Sequence, residues 1–332
     1  MKISFDEMKQ EFERILLKFG FTDIKAEKCA GIFAESSLDG ISSHGINRFP
    51  LFIDYIRRGI VRVDEEPELV ESFGAIERWD GKLGPGVLNA SQCMDHAIEL
   101  ADQHGMGCVA LRNTNHWMRG GTYGWQAAEA GCLAICFTNT LPNMPPWGAV
   151  DRKVGNNPLV IAVPRKDGHI VLDMAMSMFS YGKLETYRKN NWSLPMNGGF
   201  DKQGNLTDDP GDILDSGRLI PMGYWKGSGL SLMLDLLAAM LSDGDPTPRL
   251  EHDGAEYGVS QIFITWSIEK LNGSPMVESI TNEVLDFIHN ATPAEGEDGV
   301  YYPGERTLKI RNDNFLGGIP VHESVWEKVK SL

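Results

Sequence analysis

CLAICFTN, residues 132–139, is a short apolar run that follows Gly131 and closes on Asn139. Its length and its turn-forming borders mark it as a strand of a buried sheet. Working outward, the same signature recurs in MGCVALRN (106–113), PLVIAVP (158–164), HIVLDMA (169–175) and VSQIFITWSI (259–268). Between these runs the apolar period changes to that of helices, at roughly 87–104, 122–130, 227–242 and 276–290. Helices intermixed with strands define a layered protein of α/β (mixed α+β) class.

The first sixty residues have a different rhythm. Ser4 and Glu7 form an S-x-x-E capping box, and Phe5, Met8, Phe12, Ile15 and Leu16 keep helical spacing until Gly20. A second helix is expected from Thr22 or Asp23 to Leu38, before Gly40. A third carries Ile46, Phe49, Phe52, Ile53 and Ile56 up to Gly59, with Pro50 confined to its first turn. Phe49, Phe52 and Ile56 suit either a partner surface or internal packing. The stretch 185–220, rich in Asn, Gly, Asp and Pro, is too long for a bare connection and reads as an ordered excursion.

Thirty-one Lys and Arg against 46 Asp and Glu give a net charge of −15, a field that repels nucleic acid and anionic membrane surfaces. An anionic ligand therefore requires local cations. The five cysteines, Cys29, Cys93, Cys108, Cys132 and Cys136, include no C-x-x-C pair and read as buried thiols of a reducing compartment. With no apolar leader at the start and no long apolar span, the cytoplasm is the expected location.

No phosphate loop is present, and WKGSGLSL (225–232) has two glycines of the dinucleotide fingerprint but Leu in place of the third. A Rossmann fingerprint is absent. Gly227-Ser228-Gly229 nevertheless opens an apolar helical run. It either offers unpaired N–H groups behind Lys226 to an anion, or is a simple start with Ser228 as cap. Asp173, ending the strand HIVLD, is placed either to accept ribose hydroxyls and favour NAD over NADP, or to cap a helix or pair with a cation.

Among eight histidines, His44 and His116 lie in Gly/Ser/Asn-rich turns between regular elements, where catalytic groups collect. Arg48 follows His44 by four residues, so on a helical turn an imidazole and a guanidinium share one face, an arrangement suited to an anionic carbonyl substrate. A structural histidine capping its own turn is the alternative for both. No metal-ligand spacing accompanies them. Ser42 and Ser43 adjoin His44, but no G-x-S-x-G exists, and neighbouring residues on a turn are expected to point apart, which argues against a serine hydrolase. Trp117, Tyr123, Trp125 and Trp147 suit a ring-stacking pocket or, more simply, the core.

Taken together, SSHGINRFP (42–50), RNTNHWMRGGTYGWQAAE (112–129), NMPPWGA (143–149), SMFSYGKLE (177–185) and PMGYWKGSGLS (221–231) resemble the type-two malate/lactate dehydrogenases over essentially the whole chain. The resemblance implies a homodimeric, non-Rossmann NAD-binding mixed-sheet domain with a helical N-terminal region. It divides the chain into a helical part, 1–75 joined by 295–332, and a catalytic sheet domain, 76–294. It implies NADH-dependent reduction of a small-molecule 2-keto sugar acid, with NADH preferred over NADPH. It places the proton donor at His44. The cofactor contacts fall on His169, Ile170, Val171, Leu172, Asp173, Met174 and Ala175, on Trp225 and Lys226, and on Gly304, Glu305 and Arg306.

Charge supplies the mechanism expected. Hydride addition to a C2 carbonyl creates an alkoxide, which needs a proton donor, His44, and a cation to hold the carboxylate in register. Arg48 is the expected clamp, because guanidinium binds carboxylate bidentately, and His116 is expected to orient the substrate. Other acids of the family (malate, lactate, a sulfolactate, a cyclic imino acid) and a non-redox sugar-acid binding protein are the alternatives.

Overall fold

The computed structural model describes every residue except Asp253 and Asn272. The chain opens with a short strand, β1 (Lys2–Ile3), followed by three helices, α1 (Phe5–Lys18), α2 (Asp23–Leu38) and α3 (Phe49–Arg57). Ser4 Oγ accepts the Glu7 N–H at 3.1 Å, as the capping box requires, and Thr22 caps α2 in the same way. Pro50 sits in the first turn of α3, where its missing N–H leaves no bond unmade. Phe12, Phe33, Phe49 and Phe52 pack into one core, with the Phe12 and Phe49 rings stacked at 4.1 Å. Phe49 and Phe52 are thus internal, and Ile56 packs against the same core, so this face is not a partner surface.

Seven strands form the main sheet: β2 (Glu68–Ser72), β3 (Ile76–Asp80), β4 (Met106–Thr114), β5 (Cys132–Thr138), β6 (Leu159–Val163), β7 (Ile170–Met174) and, far along the chain, β13 (Val259–Ser267). Their order is β2-β3-β4-β13-β5-β6-β7. Only the β3–β4 pair is parallel among the described strands, joined through α4 (Gly86–His104), so the sheet is mixed and largely antiparallel. This pattern cannot be doubly wound. Glu68–Ser72, assigned from sequence to the helical part, is the sheet's edge strand; the sheet begins before residue 75 because this segment pairs with β3.

Side chains alternate across the central strands. Val109, Leu111 and Phe263 face α4 and α5 (Gly121–Glu129), while Cys108, Ala110 and Ile262 face α8 (Trp225–Ser242) through Leu234 and Ala238. Each fully buried large side chain contributes roughly 1.5–3 kcal/mol through removal from water. All five cysteines are buried and free.

Between β7 and α8 lies the excursion, built from α6 (Tyr181–Lys189), strands β8 (Gly199–Phe200) and β9 (Leu206–Thr207), α7 (Pro210–Ser216) and β10 (Arg218–Leu219). It is ordered by its own small sheet, β10-β8-β9, and by Leu184, Leu194, Ile213 and Leu219, which enter the α8-side core. A hairpin of β11 (Glu251–His252) and β12 (Ala255–Glu256) precedes β13. After it come α9 (Ile268–Leu271), α10 (Ser274–His289), α11 (Glu305–Gly317), β14 (Ile319–Pro320) and α12 (Glu323–Lys330). β14 pairs with β1, and Trp326 and Val329 of α12 join the N-terminal core, whereas Pro303 lies against β7. No described helix is long and apolar enough to cross a membrane.

Candidate active site

The turn after α2 carries His44. It is stitched by His44 N–H to Ile41 O at 3.0 Å, Asn47 N–H to Ser42 O at 3.0 Å and Arg48 N–H to Gly45 O at 3.0 Å. These are successive turns rather than the helical turn expected for a His44–Arg48 pairing, and α3 begins only at Phe49. A Cβ on Gly45 would stand 2.1 Å from Ser37 Oγ, so only glycine lets the turn press onto α2, where Ser37 Oγ also accepts the Ile46 N–H. His44 is therefore fixed to the helical core while its ring faces the sheet domain.

Ser43 Oγ lies 3.1 Å from His44 Nδ1, so the expectation that these neighbours point apart is wrong. The tight turn folds both side chains to one side. Gly182 in α6 packs against Ser43, which places the excursion over this turn. Among the described residues no carboxylate hydrogen-bonds His44.

His116 comes from the loop between β4 and α5. Its Nδ1 accepts the Met118 N–H at 2.8 Å, which leaves the proton on Nε2, facing Glu256 Oε1 at 3.9 Å. The two imidazoles stack with centroids 5.9 Å apart and planes at 29°. Burial lowers the His44 pKa to about 4; Asp173 opposes this, and Arg48 and Arg119 push it further down. Burial also holds His116 well below its usual range, assisted by Arg48 and His44. Glu256 is pushed up by burial, partly offset by the Leu141 N–H on its carboxylate and by Arg48. The resting site thus holds two neutral imidazoles beside cationic guanidinium, a charge state completed by an anion.

Glu256 was not found from sequence. It sits on a two-residue strand, and only its place in the Gly-flanked run GAEYG signals a turn there. Asp39 and Arg119 were also missed; the arginine stands within NHWMRGG, three residues from His116.

The three stretches assigned to the cofactor gather along β7, the outer strand of the sheet. Its free edge takes Pro303 O on the Val171 N–H at 3.0 Å. Gly304, at φ +97°, packs against the same backbone, where a Cβ would lie 3.2 Å from Val171 N. His169 accepts the Arg165 N–H on Nδ1 and packs beside Trp125. Beyond Met174 and Ala175, Met176 O accepts the Met222 N–H at 2.7 Å, which brings the start of α8, with Trp225 and Lys226 both exposed, to the end of β7. Glu305 accepts from the Tyr302 N–H and contacts His289. Arg306 turns toward Glu297 and Asp298 and stacks over Tyr301 at 4.2 Å.

Two expectations for the start of α8 fail. Ser228 is not its cap: the helix starts at Trp225, and Ser228 Oγ accepts the Trp147 N–H at 3.0 Å. Nor are the N–H groups there free, since Gly227 donates to Met222 O at 2.8 Å and Ser228 to Tyr224 O. Asp173 does cap a helix, its Oδ2 accepting the Gly121 N–H at 2.8 Å at the start of α5. Trp117 and Tyr123 are core, and Trp147 is about half exposed against Tyr224.

A largely antiparallel sheet with a buried histidine pair beside it sets the molecule outside the Rossmann class. The malate/L-lactate dehydrogenase family profile matches residues 3–330, and the chain belongs to that family of oxidoreductases. It is 46% identical to 2,3-diketo-L-gulonate reductases of Citrobacter koseri and Escherichia coli, over all of both chains. Its fold matches sulfolactate dehydrogenase from Methanocaldococcus jannaschii, with TM-score 0.92, 29% identity and coverage of 100% of this chain and 96% of that one. Malate dehydrogenase from Entamoeba histolytica matches with TM-score 0.95, 25% identity and the same coverage.

Proposed function

We propose that the protein reduces the C2 carbonyl of 2,3-diketo-L-gulonate to 3-keto-L-gulonate, using NADH and a proton from His44. The observation that carries this reading is the stacked His44–His116 pair beside Arg48, neutral at rest and placed between the helical core and the β7 edge. The full-length likeness to 2,3-diketo-L-gulonate reductases selects the substrate within the family.

The β7 edge fits a nicotinamide dinucleotide. Lys226 presents an ammonium for a pyrophosphate and Trp225 an exposed ring, while Asp173 keeps one carboxylate oxygen beyond the one that caps α5. That remaining oxygen is suited to ribose hydroxyls and repels a 2′-phosphate, which favours NADH over NADPH. The bound coenzyme supplies the hydride.

Arg48 binds the substrate carboxylate, and that anion raises the His44 pKa from its resting value of about 4, so the ring takes up a proton as substrate arrives. His44 then donates the proton to the C2 oxygen as the alkoxide forms. His116, its Nε2 proton set by the Met118 N–H on Nδ1, donates a hydrogen bond that orients the substrate. Reduction with NADH carrying deuterium at both C4 positions tests the assignment: deuterium at C2 of 3-keto-L-gulonate, one per NADH consumed, is expected, and label elsewhere or none refutes it.

The protein acts as a homodimer in this reading. Leu232, Met233, Leu236, Leu237 and Met240 form an exposed apolar stripe on the side of α8 opposite its buried residues, and a second copy covers it. The cytoplasm is its place of action, consistent with five free thiols.

A further inference from the structure

Asp39 ends α2 just before the His44 turn, and it is buried. Its Oδ2 accepts from Arg119 Nη1 and its Oδ1 from Arg311 Nη1, the latter at 2.8 Å. Arg119 is itself only 6% exposed. It belongs to the His116 loop, whereas Arg311 belongs to α11, the helix that opens at Gly304 and Glu305. One carboxylate therefore joins three segments of distant sequence, each bearing part of the site.

The position of Arg119 gives this link a chemical consequence. Its Nε and Asp173 Oδ2 flank the same point beside Gly121, 3.4 and 2.9 Å from where a Cβ would stand. The guanidinium thus reaches from the Asp39 side of the site to the Asp173 side. His44 is faced by Asp173 from β7, by Arg48 from its own turn, by Arg119 from the loop before α5, and by the stacked His116. Of these, Asp173 alone favours imidazolium, and both arginines oppose it. A buried guanidinium without its carboxylate would press on His44 with its full charge.

We propose that Asp39 is a positioning residue of the reaction: held by Arg119 and Arg311, it fixes Arg119 between the His116 loop and Asp173 and so sets the net charge felt by the proton donor. This rests on the reading of His44 as donor. A clasp serving stability alone would tie the same three segments together but would leave the ionisation of His44 in the enzyme–substrate complex unchanged.

The test is the pH dependence of kcat for reduction with saturating NADH and 2,3-diketo-L-gulonate, where the alkaline limb reports loss of the donor's proton. Asp39→Asn leaves Arg119 uncompensated and is expected to move that limb to lower pH by about 0.5–1 unit; Arg119→Gln is expected to move it to higher pH by a similar amount. If Asp39→Asn does not fold, Asp39→Asn/Arg311→Gln, which keeps Arg119, replaces it and is compared with Arg311→Gln. A limb below that of Arg311→Gln then supports the proposal, and an equal limb overturns it. Unmoved limbs, or limbs moving in the same direction, overturn it as well. His44→Ala, measured alongside, separates the two ideas. Retained turnover in that variant removes the donor and the proposal with it, whereas lost turnover with unmoved limbs refutes the role of Asp39 alone.

Discussion

The two sides of the site are built on opposite principles. On one side His44, His116 and Glu256 are held by turns against packed elements, and burial is the largest influence on the pKa of each. On the other, the β7 edge offers Trp225, Lys226 and Arg306 to solvent, where charges are screened. The difference assigns labour. In the proposed reaction the buried side holds a proton in a defined place, so its chemistry should respond to pH and to the loss of single atoms. The open side, proposed to admit and release a large anion, should depend on salt.

Substitutions on the two sides should therefore separate turnover from binding. His44→Ala should lower kcat by about 10²–10⁴-fold with NADH affinity, read by nicotinamide fluorescence, little changed. A parallel loss of NADH affinity would mean that the two sides are not independent. Arg48→Ala should cost roughly 10–100-fold in kcat/KM, the scale of one charge-assisted hydrogen bond, and appear mainly in KM for the acid. A pure kcat effect would move Arg48 from clamp to chemistry.

Proton linkage sharpens the contrast further. Because the folded His44 pKa is depressed, the unfolded chain binds more protons between about pH 6.5 and 4, so His44 makes the ligand-free protein lose stability as pH falls through that window. Above pH 6.5 this contribution is constant. Binding of a substrate-like carboxylate should be accompanied by proton uptake near neutral pH, measured by titration calorimetry in buffers of different ionisation enthalpy. Uptake independent of His44 would break the link.

The smallest effects belong to the open side. Lys226→Ala should weaken NADH several-fold at low salt and less at high salt. Asp173→Ser should raise the NADPH-to-NADH ratio of kcat/KM, and an unchanged ratio would show that Asp173 serves only as the cap of α5.

Much of this was legible in the chain, and the division between read and unread elements is physical. Burial writes periodicity, so α1 to α3, α4, α5, α8, α10 and the five strands β4, β5, β6, β7 and β13 stood out by their apolar spacing. β2, reading ELVES, is exposed at every position, and α6 and α11 bury only Leu184 and Asn314. Elements that bury so little leave no pattern to find. α12 spans only eight residues and buries just Trp326 and Val329. His44 and His116 were legible because loops between rigid elements concentrate chemistry. Glu256, Asp39 and Arg119 were not, because their roles arise only when segments distant in sequence meet.

The central claim, that this histidine pair serves reduction of a 2-keto sugar acid by NADH, is met most directly by following loss of reduced-nicotinamide absorbance. The wild-type protein is offered NADH or NADPH with 2,3-diketo-L-gulonate, pyruvate, oxaloacetate and a cyclic imino acid. The account predicts rapid oxidation of NADH with 2,3-diketo-L-gulonate and kcat/KM at least about tenfold lower for the other acids, a difference of ~1.4 kcal/mol in transition-state binding. A preference for another acid would contradict the substrate assignment, and oxidation of neither coenzyme by any acid would contradict the reductase reading itself.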